Sequence, residues 1–135
     1  NDVIGYGIQP HHGCMPMPKD FDDRDTLIAA ATSGHPKFFL GSDTAPHPRE
    51  KKECAKGECG VYTAPVLPQV LTEVFEKVGC LDRLEDFTSR FGAEFYGLPL
   101  NDGTISLTKS EWIVPEQIGS VVPFRAGAKL QWQLA

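Results

Sequence analysis

Asp43 and His47 carry the clearest chemical potential in this chain. They stand four residues apart at the end of Phe38-Phe39-Leu40-Gly41-Ser42-Asp43-Thr44-Ala45-Pro46-His47. A short unbroken apolar run reads as a buried strand of a parallel sheet. Lys37–Leu40 fits that pattern, and Gly41 and Ser42 mark its end. Asp43 then sits at a strand's carboxyl end, where α/β barrels keep their chemistry. One free carboxylate there can hold a metal, take a proton, or do both. On spacing alone a second reading stays open, in which Asp43 and Thr44 only cap a turn or helix.

Three other groupings invite chemistry and resolve into plainer readings. His11 and His12 are adjacent, so on a strand they point to opposite faces and cannot share one metal. One packed and one loop histidine is the favoured reading. Cys54 and Cys59, with His47 nearby, suggest zinc, but the Cys-x4-Cys spacing is wide for a structural site and no fourth ligand is evident. Two reduced thiols in a mobile loop is the favoured reading. Arg49, Lys51 and Lys52 could draw in an anion, yet Glu50 and Glu53 cancel much of that field. A solvated loop is expected.

The elements that must position these residues follow from the pattern. Val3–Ile8 reads as a buried strand. Its glycines are not a dinucleotide fingerprint, because the third Gly and the helix start are missing. Asp22–Ser33 reads as a helix capped by Asp22 or Asp23, with Leu27 and Ile28 inward and Gly34 as the stop. With strand Lys37–Leu40 this makes a βαβ unit. The charged, aperiodic stretch His47–Gly60 reads as a long loop, and such loops are usually functional or disordered. Pro68–Val78 reads as a helix with Val70, Leu71, Val74, Phe75 and Val78 on one face, ended by Gly79. Leu81–Phe91 reads as another helix. Asn101-Asp102-Gly103 signals a hairpin between Leu98–Leu100 and Thr104–Leu107. Ala128–Leu134 alternates Leu130, Trp132 and Leu134 as a strand does.

A net charge of −5 with scattered Lys and Arg argues against nucleic acid as a partner. No apolar run approaches the roughly 20 residues that span a membrane, and no leader pattern is visible. Four cysteines without a secretory signal read as reduced thiols of a cytoplasmic protein.

Four blocks of the chain together resemble dihydroorotases of the bacterial and fungal type, within the amidohydrolase superfamily. Gln9-Pro10-His11-His12-Gly13-Cys14-Met15-Pro16 is similar to one strand end of that family. Gly41-Ser42-Asp43-Thr44-Ala45-Pro46-His47 is similar to the end of its last barrel strand. Phe95-Tyr96-Gly97-Leu98-Pro99-Leu100-Asn101-Asp102 resembles the element after barrel closure, and Val122-Pro123-Phe124-Arg125-Ala126-Gly127 the family's C-terminal end. The blocks occur in the family's order across almost the whole chain.

The resemblance implies an α/β fold, the C-terminal part of a (β/α)8 TIM barrel: about the last two strand–helix units and the tail. Such a barrel needs roughly 250 residues, so residues 1–135 are expected to be part of a barrel domain and not a complete one. The opening Asn1-Asp2-Val3 suits a piece of a longer protein. The implied activity of the parent is zinc-dependent interconversion of N-carbamoyl-L-aspartate and (S)-dihydroorotate in pyrimidine synthesis. Asp43 would be both a ligand in a two-metal site and the general base. His47 would grip the substrate carboxylate, and Met15 and Cys59 would hold the ring through main-chain groups. Family members often carry a small residue where Cys59 stands. The other metal ligands are expected outside this chain. The implied partners are the substrate, the remainder of the barrel and a second subunit in a homodimer. A hydantoinase-like or allantoinase-like amidohydrolase shares the Ala45-Pro46-His47 signature more loosely. A non-catalytic segment that only packs against another chain is the alternative from a different class.

Overall fold

The computed structural model describes residues 8–16 and 20–135. The expected strand Val3–Ile8 lies outside the described residues except for Ile8, which is exposed.

Pro10–His12 form a single 3-10 turn. Helix α1 spans Phe21–Ala31. Its cap is Asp20, two or three residues earlier than expected: the Asp20 carboxylate accepts from the Asp23 amide at 3.0 Å, and the Asp23 carboxylate accepts from the Asp20 amide at 3.3 Å. This reciprocal pair is a capping box, and its acids suit the positive end of the helix. The expected inward face is only partly covered: Leu27 is exposed and Ile28 half-buried.

Lys37–Leu40 is not a strand. Phe38 is 45% exposed, and the Leu40 amide donates to the Phe87 carbonyl at 2.9 Å, a helical segment and not a strand edge. A strand needs ladder hydrogen bonds to at least one neighbour, and among the described residues this run has none. The βαβ unit is therefore not formed within the described residues. Ordered pairing begins just after Asp43, where Thr44 makes a parallel bridge to Val61.

The segment after His47 is more structured than its charge pattern suggests. Helix α2, Arg49–Lys52, fills its first turn. Helix α3, Leu67–Val78, matches the expected helix, with Pro68 in the first turn and Gly79 in the left-handed conformation at its end. Its buried residues are Gln69, Thr72 and Phe75, while Val78 at the last turn is exposed. Helical structure then continues past the expected end at Phe91. A 3-10 turn at Leu81–Arg83 leads into a π turn at Asp86–Arg90 and helix α4, Phe91–Tyr96.

The Asn101-Asp102-Gly103 signal does not close a hairpin. Strand β1, Leu107–Ile113, pairs antiparallel with β2, Lys129–Leu134, with an irregularity between Lys109 and Trp112. The core sits here. Val66, Val114 and Leu130 are fully buried, with Val70, Trp112 and Phe124 packed on them. Glu73 and Glu76 fasten α3 to the sheet. Glu73 accepts from Arg125 at 2.9 Å and from the Gln131 amide at 2.7 Å; Glu76 accepts from Trp132 Nε1 at 2.9 Å and pairs with Lys109. By contrast Phe95, Tyr96, Leu98, Leu100 and Ile105 are exposed.

Candidate active site

The segments carrying Met15, Asp43, His47 and Cys59 meet through their backbones. The Gly60 amide donates to the Gly13 carbonyl at 2.9 Å, which ties the Cys59 segment to the Met15 segment. The Ala45 amide donates to the Val61 carbonyl at 3.0 Å, which lays the Asp43 segment alongside. Thr44 completes the seam: its Oγ1 accepts from the Thr63 amide at 3.2 Å and the Ala64 amide at 3.1 Å.

Gly60 is the crowded centre. A Cβ there would lie 2.7 Å from the Ala45 carbonyl oxygen and 3.0 Å from His47 Cδ2, and its φ of +148° is one that side chains rarely adopt. The half-buried His47 ring therefore lies directly against the Gly60 backbone, next to Cys59.

Asp43 is exposed, with φ of +41°. Aspartate tolerates this left-handed region better than most residues, and such strain clusters at functional positions. Among the described residues no group bonds its carboxylate, so both oxygens are open to a ligand. No cluster of three or more His, Cys, Asp or Glu able to hold a metal occurs among the described residues. A single open carboxylate of this kind can hold a cation or take a proton. Met15 is 69% exposed, and Cys59 is exposed as well. Among the described residues the Cys59 amide has no acceptor, so its N–H is available to a ligand.

The paired histidines sit on a turn, not a strand. The His12 ring packs on Phe124 at 5.1 Å between centroids, while His11 Nε2 lies 2.8 Å from the Glu53 carboxylate. Cys54 Sγ donates to the Lys51 carbonyl at 3.4 Å.

Lys52 overturns the expectation of a fully solvated loop. It is only 4% exposed. Its ammonium donates to the Glu58 carbonyl at 2.9 Å, to the Gly13 carbonyl at 3.4 Å, and to the Gly60 carbonyl. Burial pulls its pKa below the ordinary lysine value, and the nearby Cys59, Cys14 and Glu58 act in the opposite direction. Gly57 lets the loop close around it, since a Cβ there would lie 2.6 Å from the Lys52 carbonyl oxygen. No periodicity announces this role, because Lys52 stands in the sequence as one charge among several.

No family model matches the chain. It is similar to curated dihydroorotases of Coxiella burnetii and Halorhodospira halophila, each 49% identical over 99% of this chain and 40% of the relative. The dihydroorotase of Nitrosomonas europaea is 49% identical over 100% of this chain and 40% of its own length. The chain thus spans about 40% of the length of these curated relatives. Among solved structures, dihydroorotase from Saccharomyces cerevisiae in complex with 5-fluoroorotic acid superposes with a TM-score of 0.87 at 35% identity, covering 98% of this chain and 39% of that one. Dihydroorotase from Campylobacter jejuni gives 0.86 at 37% identity, covering 99% and 40%. The fold is accordingly α/β and part of a TIM barrel. Over that portion its sequence and fold are similar to those of dihydroorotases.

Proposed function

We propose that this chain supplies the general base and part of the substrate grip of a zinc-dependent dihydroorotase, which interconverts N-carbamoyl-L-aspartate and (S)-dihydroorotate. The 49% identity to the Coxiella burnetii dihydroorotase across 99% of the chain carries the reading. The convergence of Gly13, His47 and Gly60 supports it from the side of geometry.

In this reading a carboxylate oxygen of Asp43 serves as one zinc ligand. Bound zinc would supply positive charge that lowers the pKa of water to about 7. Asp43 takes the proton from the attacking water and returns it to the amide nitrogen as the ring C–N bond breaks; ring closure runs the same transfers backward. His47 donates a hydrogen bond to the substrate carboxylate. Main-chain groups of Met15 and Cys59 hold the ring. The rest of the barrel supplies the remaining zinc ligands, and the enzyme works as a cytoplasmic homodimer. The test is the whole protein that contains this segment, purified with zinc and offered dihydroorotate, hydantoin and allantoin. Turnover of dihydroorotate is expected. Turnover of only hydantoin or allantoin, or of none of the three, would overturn the assignment.

A further inference from the structure

We infer that Lys52 is a positioning residue for substrate binding, aiming the Cys59 amide at the ligand by holding the Glu58 carbonyl. The inference rests on the proposed function, in which the main chain at Cys59 touches the substrate.

The Glu58 carbonyl and the Cys59 N–H belong to one planar trans peptide, so they point in opposite directions. The Lys52 ammonium, 2.9 Å from the Glu58 oxygen, fixes one end of that plane. The Cys59 N–H is thereby turned away from Lys52, and among the described residues nothing accepts it. A buried donor left without water normally has a partner; a free N–H on an exposed residue beside a built site is available to a ligand.

The same ammonium also holds the Gly13 and Gly60 carbonyls. Three peptides from two distant segments are locked to one charge. Hydrogen bonds from a charged donor are stronger than neutral ones, so the lock is stiffer than backbone pairing alone. Lys52 itself touches no ligand in this arrangement. Its effect reaches substrate only through the orientation of backbone groups.

The experiment uses the whole protein, with Lys52→Met and Lys52→Arg. Methionine keeps much of the volume but donates nothing; arginine keeps a charged donor. For Lys52→Met the KM for dihydroorotate should rise about tenfold or more while kcat stays within about threefold, the signature of lost binding shared by ground and transition states. Zinc content should be unchanged, and Lys52→Arg should recover part of the KM. In the wild type selectively labelled with 15N-cysteine, saturating dihydroorotate should shift the Cys59 amide resonance. An unchanged KM in Lys52→Met, or a loss confined to kcat or to zinc, overturns the role of Lys52. If Lys52→Met does not fold, Lys52→Gln, which removes the charge, takes its place beside the Cys59 resonance: a raised KM with a weakened shift supports the inference, while a full shift at wild-type KM, or no shift in a wild type that turns over, overturns it. A wild type without dihydroorotate turnover refutes the proposed function itself, an outcome distinct from all of these.

Discussion

The imidazole of His47 rests against Gly60, close enough that a Cβ on the glycine would come to 3.0 Å from His47 Cδ2. The same Cβ would strike the Ala45 carbonyl oxygen at 2.7 Å, and backbone cannot swing aside as a side chain can. One glycine thus sets how near the histidine comes to the Cys59 segment.

Gly60→Ala should therefore both strain the backbone and push His47 outward. Overpacking of this kind typically costs about 1–3 kcal/mol. Denaturant unfolding of the whole protein should show that loss, and the KM for dihydroorotate should rise with it. A variant of unchanged stability and KM would mean that the contact is easily relaxed.

His47→Ala should act on substrate handling. A hydrogen bond to a charged group contributes about 1.5–3 kcal/mol, or roughly 10–100-fold in affinity, and KM should rise on that scale. Metal analysis of the purified variant should give the wild-type zinc content. A large loss of zinc would move His47 into the ligand shell.

Glu76 gives a prediction in pH. Its hydrogen bonds from Lys109 and Trp132 hold its pKa below the ordinary glutamate value. The folded state therefore favours the carboxylate, and the stability it adds is present above the ordinary value and lost as pH falls through the lowered one. Thermal melting of wild type and Glu76→Gln should differ at pH 7 and converge on strong acidification. A gap that stayed constant across that range would contradict the linkage.

How much of this was legible in sequence depended on whether an element's reasons lay within the element. The amphipathic run of α3 and its Gly79 stop are local, and so is the alternation of Leu130 and Trp132 in β2; each is found where the pattern put it. The cap of α1 moved to Asp20 because four acids crowd that turn and any of them could cap it. Lys37–Leu40 failed because a buried parallel strand owes its existence to neighbours, and the described residues offer it none. Asn101-Asp102-Gly103 failed because a turn signal specifies a hairpin only when alternating strands flank it on both sides. In the candidate site, residue type pointed to Asp43 and His47, but Lys52 was indistinguishable from a solvated charge. Its three acceptors are carbonyls, and a carbonyl has no signature in sequence.

Asp43→Asn in the whole protein separates a proton-transfer role of Asp43 from a purely structural one. Asparagine keeps the shape and an oxygen for the metal but cannot take the proton that ring opening must move. Positioned acid–base groups supply about 10²–10⁴-fold, so kcat for dihydroorotate should fall by at least about a hundredfold, with the fold intact by circular dichroism. A folded variant retaining more than about a tenth of wild-type kcat would show that Asp43 is not the base.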